Sequence, residues 1–409
     1  MRTALLAALC WSAAFAPASA QTTPAQTTPA ERARIDRITA RTPLIDGHND
    51  LADQVHDLYG GELARIDLTR WGTPQSPLQT DIPRLRSGRV GAQFWSVYAP
   101  AELRGAEAAQ AVQVQIDIVR QIVADHPEAF EFAATAGDIE RIHRAGRIAS
   151  MLGMEGGEPI NGNLAVLRQF RAAGVLYMTL CHAQTTAWAD SATDAPQHGG
   201  LSPFGEDVVR EMNRIGMLVD LSHVSADAMR DALRVSRAPV IFSHSSAYAL
   251  TPHPRNVPDD VLRLLPANGG VVMVNFYPGF VSDEVRLWSA AQSGEAARQK
   301  ALHPDDPAAA AAGLADWVAK NPRPAATVAQ VADHVEHIRD VAGIDHVGLG
   351  ADFDGVPFTT EGLGDVASYP NLFAELMRRG WSDADLAKLA GGNLLRVLRG
   401  AEAVAAASH

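Results

Sequence analysis

The sequence predicts a single (β/α)8 barrel, or TIM barrel, with an insertion after strand 7. Apolar runs of strand length recur along the chain, and helical patterns separate them. Continuous Val, Ile, Leu and Met runs without strict alternation are typical of parallel strands that helices cover on both faces. Residues able to carry chemistry follow these runs at their carboxyl ends, where such barrels build active sites. The eight runs are PLIDGHND, VGAQFWSVY, IASMLGMEGG, VLYMTLCH, GMLVDLSHVS, PVIFSHSS, GVVMVNFY and HVGLGADFDG.

Length and charge limit the number of domains and the kinds of partner that we expect. The chain has 409 residues, 47% of them hydrophobic, and a formal net charge of −12. An acidic chain offers no basic field to a phosphate backbone, so nucleic acid is not an expected partner. Length alone would allow two or three domains of roughly 150 residues, but an elaborated barrel is equally compatible with it. The eight strand ends favour one barrel domain, residues 31–409.

The first twenty residues, 1–20, have the pattern of a secretory signal peptide. Arg2 supplies a positive charge, residues 4–15 are largely apolar, and Ala18-Ser19-Ala20 offers a cleavage site. We therefore expect an exported protein, periplasmic or secreted. The apolar stretch is shorter than the roughly 20 residues that span a bilayer, so no transmembrane segment is expected.

The segment after the signal, residues 21–30, is a Thr/Pro repeat with the sequence QTTPAQTTPA and is typical of a linker. Of the two cysteines, Cys10 lies within the signal, which leaves Cys181 alone in the mature chain. An intramolecular disulfide is therefore excluded. The position of Cys181 in a strand predicts a buried thiol.

The insertion extends from Phe280 to about Asp340, where the rhythm of short loops is broken. Its Ala-rich sequence predicts a partly helical segment that caps the site or contacts another subunit.

Several of the residues at strand ends are able to bind a metal ion. His48 and Asp50 are two positions apart, so both side chains point to one face of a strand and could hold one cation. Glu155 lies among glycines, and its two carboxylate oxygens could bridge two ions. Each residue alone is more often a hydrogen-bonded rim residue. Together with His223 and His244, which end neighbouring strands, they indicate an N/O site suited to zinc and tolerant of other divalent ions.

Six ordered motifs resemble the membrane dipeptidase (renal dipeptidase) family, peptidase family M19 of the amidohydrolase-type barrels. The resemblance covers residues 41–398. The motifs are DGHNDLA, GMEGGEPI, TLCHAQTTAWADS, VDLSHVSADAM, VIFSHSSAYAL followed by HPRNVPDD, and HVGLGADFDG.

The resemblance implies a binuclear site with two zinc ions per subunit. In that arrangement His48 and Asp50 bind the first zinc, His223 and His244 bind the second, and Glu155 bridges them. A hydroxide between the two zincs would be the nucleophile that attacks the peptide bond of a dipeptide.

The same resemblance assigns roles around the substrate. His182 would polarise the substrate carbonyl, although a buried structural histidine is the alternative. Arg255 would hold the terminal carboxylate, a task suited to a guanidinium group, with a surface ion pair as the alternative. Asp352 would move a proton from the attacking water to the leaving amine. Asp354, two positions later, would face the same way if the strand continued that far, so the choice between the two stays open.

The expected function is therefore that of a zinc-dependent dipeptidase, extending to D-configured carboxyl-terminal residues and to β-lactams by resemblance. A homodimer is expected on the same ground. Two alternatives remain: another hydrolase of the same barrel type, such as a lactonase or amidase, and a non-catalytic metal-dependent binding protein.

Overall fold

The computed structural model describes residues 27–72 and 77–408, and most of them form one barrel of parallel strands wrapped by helices. The predicted signal peptide and residues 21–26 of the predicted linker lie outside the described residues. The strands are β1 (Leu44–Asn49), β2 (Val90–Tyr98), β3 (Phe130–Phe132), β4 (Ile148–Glu155), β5 (Val175–Thr179), β6 (Leu218–Asp220), β7 (Ile241–Phe242), β8 (Val271–Val274) and β9 (Val347–Leu349).

The barrel closes through eight of these strands. Neighbours run in the order β2, β1, β9, β8, β7, β6, β5 and β4, and pairing of β2 with β4 completes the circle. The predicted (β/α)8 barrel is confirmed, since each of the eight apolar runs contains one barrel strand. β3 was not predicted from the sequence: it pairs with β4 outside the circle, and only its first residue is buried.

The helices cover the outside of the barrel. They are α1 (Pro29–Thr39), α2 (Leu51–Tyr59), α3 (Ile82–Ser87), α4 (Gly105–Asp125), α5 (Ala136–Arg144), α6 (Leu164–Ala172), α7 (Pro203–Ile215), α8 (Ala226–Val235), α9 (Asp259–Leu262), α10 (Leu265–Asn268), α11 (Pro278–Val281), α12 (Asp283–Leu302), α13 (Pro307–Lys320), α14 (Val328–Ala342), α15 (Tyr369–Arg378), α16 (Asp383–Ala387) and α17 (Asn393–Ala406). Short 3-10 turns lie at Leu63–Arg65, Glu158–Ile160 and Ile344–His346, and a π turn lies at Lys388–Gly392.

Local sequence signals set the ends of these helices. At the start of α7 the Ser202 side chain accepts the Gly205 N–H, and Pro203 occupies the first turn, where its missing N–H costs nothing. Gly216 ends the helix with a positive φ of 67°. α1 begins at Pro29, with Thr28 as its cap, so helix starts within the segment predicted as a linker.

The insertion after the seventh barrel strand is a helical hairpin of α12 and α13. Trp288 and Trp317 pack against each other at 6.0 Å between ring centroids, and no side chain of α13 is fully buried. The insertion is shorter and more helical than predicted, because α14 is the ordinary crossover helix that packs against β8 and β9. Its amphipathic pattern buries Val331, Val335 and Ile338.

Two further predictions concern Cys181 and membrane-spanning helices. Cys181 is a free, fully buried thiol, as expected. In the part of the chain that the structure describes, no helix has the length and apolar character needed to cross a membrane.

A buried histidine links the crossover helix α14 to the loop after β7. His334 is 1% exposed, its Nδ1 accepts the Ala247 N–H at 3.0 Å, and its Nε2 faces the Val281 carbonyl oxygen at 3.3 Å. Burial lowers the pKa of His334 to about 4 from an ordinary value of 6.5. The folded state therefore holds this imidazole neutral, while the unfolded chain protonates it below its ordinary pKa.

Acidification should destabilise the fold through His334. Stability from the neutral imidazole is fully present above pH 6.5 and is lost as the pH falls toward 4, amounting to about 3 kcal/mol at the limit. We expect His334→Gln to flatten the fall of Tm between pH 6.5 and 4.5, measured by circular dichroism. The exposed His56, replaced by Gln, is the control, and equal slopes in wild type and His334→Gln would contradict this account.

Candidate active site

The carboxyl ends of the barrel strands surround a cleft of about 320 Å³, large enough for a small ligand. Glu155, the last residue of β4, lines the cleft, and the fully buried side chain of His48 on β1 lies 3.5 Å from it. The residues lining the cleft are Asp50, Asp53, Tyr98, Glu155, His182, His223, His244, Arg255, Tyr277, Phe280, Asp352, Gly355, Val356 and Pro357. Seven of the eight residues predicted for the site line this cleft, and the eighth, His48, contacts Glu155.

Glu155 lies at the centre, and its two oxygens face different partners. Oε2 lies 3.5 Å from His48 Nε2, which is itself 3.3 Å from Asp50 Oδ2. Oε1 lies 2.8 Å from His223 Nε2 and 3.3 Å from His244 Nε2. The Nε2 atoms of these two histidines are 2.9 Å apart. Nitrogen and oxygen atoms from several strands therefore converge on the two oxygens of one carboxylate, and the His48 and His244 rings lie 3.9 Å apart between centroids.

The orientation of His48 is fixed from below by Tyr177 of β5. The Tyr177 hydroxyl lies 2.8 Å from His48 Nδ1 and donates to the Gly47 carbonyl at 3.2 Å. This chain of hydrogen bonds places a hydrogen on His48 Nδ1 and turns Nε2 toward the carboxylates of Asp50 and Glu155. Burial opposes protonation of His48, but Tyr177, Asp50 and Glu155 raise its pKa well above the ordinary value. Gly153 makes room for the tyrosine, since a Cβ there would lie 2.0 Å from the Tyr177 ring.

His244 is held in the same way by two polar residues of the barrel wall. Its Nδ1 lies 2.8 Å from Ser243 Oγ, and that hydroxyl donates to Asp220 Oδ2 at 2.7 Å. The Ser243 N–H also donates to Asp220 Oδ1 at 2.8 Å. With the serine hydrogen committed to Asp220, His244 donates from Nδ1 and presents the Nε2 lone pair to the cleft.

The charge states of these groups suit metal binding. Burial lowers the pKa of His223 and of His244 well below the ordinary value, so both imidazoles are neutral at neutral pH. Burial alone would raise the pKa of Glu155, but His48 and His182 hold it well below its usual range. Neutral imidazoles and an ionised carboxylate are the forms that bind metal.

Groups of three donor atoms lie close enough together to share an ion. They are His48 with Glu155 and His244, Glu155 with His182 and His223, and His48 with Asp50 and Asp352. His48 Nε2 is buried and has no hydrogen-bond partner among the described residues. A buried nitrogen without a partner, facing carboxylates, fits a cation at this position. Imidazole and carboxylate donors together fit zinc and related divalent ions.

Backbone geometry at the rim departs from ordinary strand ends. His223 and Asp352 have positive φ angles of 68° and 67°, a region that non-glycine residues adopt at some energetic cost. Both lie three residues after the last residue of a barrel strand. The left-handed turn aims each side chain back over the barrel mouth.

Asp352 and Asp354 have different surroundings. Asp352 lines the cleft and accepts a hydrogen bond from Asn275 Nδ2 at 2.9 Å. Burial, opposed by His48 and aided by Asp50 and Glu155, raises the pKa of Asp352 to about 8.

Asp354 instead accepts a hydrogen bond from the Gln79 N–H at 2.6 Å and so holds the loop that precedes α3. The two aspartates do not share a face, because β9 ends at Leu349 and both residues have positive φ. Geometry therefore favours Asp352 as the residue available to a ligand.

His182 lies on the opposite side of Glu155 from His48. Its Nε2 is 3.7 Å from Glu155 Oε1, and its ring packs against Tyr98 and His223 at 4.8 and 4.3 Å between centroids. The side chain is 20% exposed, more than the other histidines around Glu155. Burial lowers the pKa of His182. The structure therefore offers a neutral imidazole that faces the open cleft.

Arg255 is a buried guanidinium without a carboxylate partner. It is 3% exposed, donates to Ser245 Oγ at 3.3 Å and to the His244 carbonyl at 3.2 Å, and lies 5.3 Å from the centre of the Phe280 ring. Within the described part of the chain, no Asp or Glu oxygen lies within ion-pair distance of it. Burial lowers its pKa, which shows the cost of keeping this charge without an anion. The surface ion pair considered from the sequence is therefore wrong.

Several residues of the site were not predicted from the sequence. Asp53 lines the cleft one helical turn after Asp50, a spacing that could have revealed it. Tyr98, the last residue of β2, was recognisable by its position at a strand end. Tyr177 and Ser243 carried no signal, because sequence does not show which strand residue supports a histidine from below.

Comparison with known proteins identifies relatives across nearly the whole chain. The family model for membrane dipeptidase (peptidase family M19) matches residues 32–409. Dipeptidase aclJ of Aspergillus oryzae is 40% identical over 383 residues, covering 91% of this chain and 82% of that protein.

Solved structures agree on the fold. The probable dipeptidase PvdM from Pseudomonas aeruginosa superposes with a TM-score of 0.77 at 25% identity, covering 92% of this chain and 100% of that one. A metallopeptidase from Rhodobacter sphaeroides, bound to a phosphinate mimic of L-Ala-D-Ala, gives a TM-score of 0.72 at 23% identity, covering 88% and 99%.

Removal of the serine hydroxyl that orients His244 should weaken metal binding. In Ser243→Ala the imidazole loses its partner at Nδ1, and we expect divalent metal affinity to fall by about 10- to 100-fold. Competition with a chromogenic chelator measures the change. Ser382→Ala, which removes the exposed N-cap of α16, is the control, and unchanged affinity in Ser243→Ala would contradict the proposed support.

Proposed function

This chain belongs to the membrane dipeptidase family, peptidase family M19, and from that membership we propose that it is a zinc-dependent dipeptidase with two ions per subunit. The family makes the chain a hydrolase of the dipeptidase type.

The arrangement of Glu155 is the observation that carries the proposal. Its Oε2 faces His48, and its Oε1 faces His223 and His244. We assign His48, Asp50 and Glu155 Oε2 to one ion and His223, His244 and Glu155 Oε1 to the other. When bound, two such ions supply a hydroxide nucleophile near neutral pH and stabilise negative charge that develops on the carbonyl oxygen.

Arg255 selects the substrate. A buried guanidinium beside the cleft without a protein carboxylate is stabilised by an anionic ligand, and the terminal carboxylate of a dipeptide provides one. The stacked Phe280 ring and the donors already engaged with Ser245 and His244 fix the plane of the guanidinium. The substrate's carboxyl-terminal residue therefore lies toward β7.

His182 and Asp352 act on the two sides of the scissile bond. The neutral imidazole of His182 donates a hydrogen bond to the carbonyl oxygen as it becomes negative. Asp352 accepts the proton of the attacking water and delivers it to the leaving amine. Its pKa, raised by burial to about 8, would be lowered by bound cations into the range where both transfers are feasible.

The alternatives fit less well. A lactonase or amidase acting on neutral substrates would leave the Arg255 charge without a partner. A non-catalytic binding protein would not need Asp352 held over the cleft by Asn275. The proposal extends, by family resemblance, to dipeptides with a D-configured carboxyl-terminal residue and to β-lactams. We also propose export, from the pattern of residues 1–20, and a homodimer.

Metal dependence provides the first test. Protein purified with zinc should hydrolyse a panel of L,L and L,D dipeptides, lose activity on chelation and regain it when zinc returns. Amine release, followed by ninhydrin or coupled assay, measures turnover. A fully metallated, folded protein that hydrolyses no dipeptide would overturn the proposal.

Arg255→Met should raise KM for dipeptides by about 100-fold or abolish turnover, because one buried charge-assisted contact to the carboxylate is lost. Replacement of the exposed Arg263 by Met removes the same charge away from the cleft and should leave KM unchanged. A dipeptide amide, which lacks the carboxylate, should be affected far less by Arg255→Met than the free dipeptide. Equal KM values in wild type and Arg255→Met would exclude the assigned contact.

A further inference from the structure

Asp53 is a second charged group of the cleft that has no ion-pair partner among the described residues, and it lies on the side away from Arg255. Asp53 is on α2, lines the cleft and is partly buried. Its Oδ1 accepts a hydrogen bond from Gln115 Nε2 at 2.8 Å, and Gln115 Oε1 in turn accepts the Tyr98 N–H at 2.7 Å. Gln115 is 2% exposed. The carboxylate is therefore held in one orientation by a buried amide that is itself fixed to the end of β2.

The charge of Asp53 is not balanced by the protein. Across residues 27–72 and 77–408, no Lys, Arg or His nitrogen forms an ion pair with it, and its Oδ2 accepts no hydrogen bond. Burial and the charges of Asp50 and Asp57 raise the pKa of Asp53 to about 7. It belongs to none of the donor groups close enough to share an ion. A cationic ligand group at this point would stabilise the ionised carboxylate.

Barrel topology places Asp53 nearly opposite Arg255. Asp53 lies on α2, the helix that directly follows β1. Its hydrogen bond with Gln115 connects it to Tyr98 at the end of β2. Asp53 is therefore on the β1 and β2 side of the barrel mouth. Arg255 follows β7, which is three strands from β1 in one direction and four strands from β2 in the other. In the strand order, β4 with Glu155 and the strands that precede His182 and His223 lie between β2 and β7. A substrate with its carboxylate at Arg255 and its scissile carbonyl near Glu155 therefore extends its amino-terminal residue toward Asp53.

We propose that Asp53 binds the cationic group of the substrate's amino-terminal residue, either its α-ammonium or a basic side chain. This inference rests on the proposed dipeptidase function and adds the amino-terminal specificity of the same site. With a negative group at one end and Arg255 at the other, the cleft matches the charge pattern of a free dipeptide. It also disfavours acidic amino-terminal residues, because like charges repel.

Two substrate pairs distinguish the sources of the cation. L-Ala-L-Ala and propionyl-L-Ala differ in the α-ammonium, while L-Lys-L-Ala and L-norleucyl-L-Ala differ in the side-chain ammonium. For the zinc-loaded wild type we expect kcat/KM to favour the cationic member of at least one pair. Asp53→Asn should reduce that preference by about tenfold or more, the effect of one charge-assisted contact, because kcat/KM of the cationic member falls much more than that of the neutral member.

The isosteric Asn can still accept from Gln115, and Tm and zinc content of the variant verify that it is folded and loaded. Asp57→Asn on the same helix removes the same charge from an exposed side chain and should keep both preferences. Equal preferences in wild type and Asp53→Asn overturn the inference, as does an equal loss in Asp57→Asn, which would indicate a long-range field. Failure of the wild type to hydrolyse any of these substrates would instead overturn the dipeptidase function on which the inference rests.

Discussion

The site depends on one buried carboxylate surrounded by imidazoles. Glu155 is 7% exposed, and burial of a carboxylate is costly unless positive charge or strong hydrogen-bond donors compensate it. The four histidines around it reach Glu155 from the ends of four barrel strands, so the site is complete only in the closed barrel. Glycines on both sides of Glu155 leave room for the side chains that pack around it, and one of them, Gly156, has a positive φ of 100°.

Polar residues within the barrel wall fix the orientation of two of the histidines that surround Glu155. Tyr177 supports His48, and Ser243 with Asp220 supports His244, so each imidazole presents the same nitrogen to the cleft. Among the described residues, no oppositely charged side chain forms an ion pair with either of two charged groups of the cleft, Arg255 and Asp53. Such charges cost stability in the free protein, and a ligand with complementary charges would compensate them. This charge pattern agrees with the proposed binding of cations at the centre of the site and of a zwitterion across its mouth.

The sequence predicted the barrel because each strand is a distinct apolar run, and it predicted the rim residues because parallel strands end at one edge. It could not predict where side chains point once the chain leaves a strand. His223 and Asp352 turn over the barrel mouth through left-handed backbone, and Asp354 turns away through the same conformation. Asp53 was missed because it lies on a helix beyond the motif, and its role depends on Gln115, 62 residues away. The insertion was overestimated because its Ala-rich helices run into the pattern of α14.

The most direct test of the central claim is a crystal structure of the zinc-loaded protein with anomalous data collected at the zinc edge. The account predicts two anomalous peaks, about 3.5–4 Å apart, with a different oxygen of Glu155 within about 2.2 Å of each. His48 and Asp50 should contact one peak, and His223 and His244 the other. A single peak, or two peaks of which only one contacts Glu155, would contradict the bridging role on which the proposed function is built.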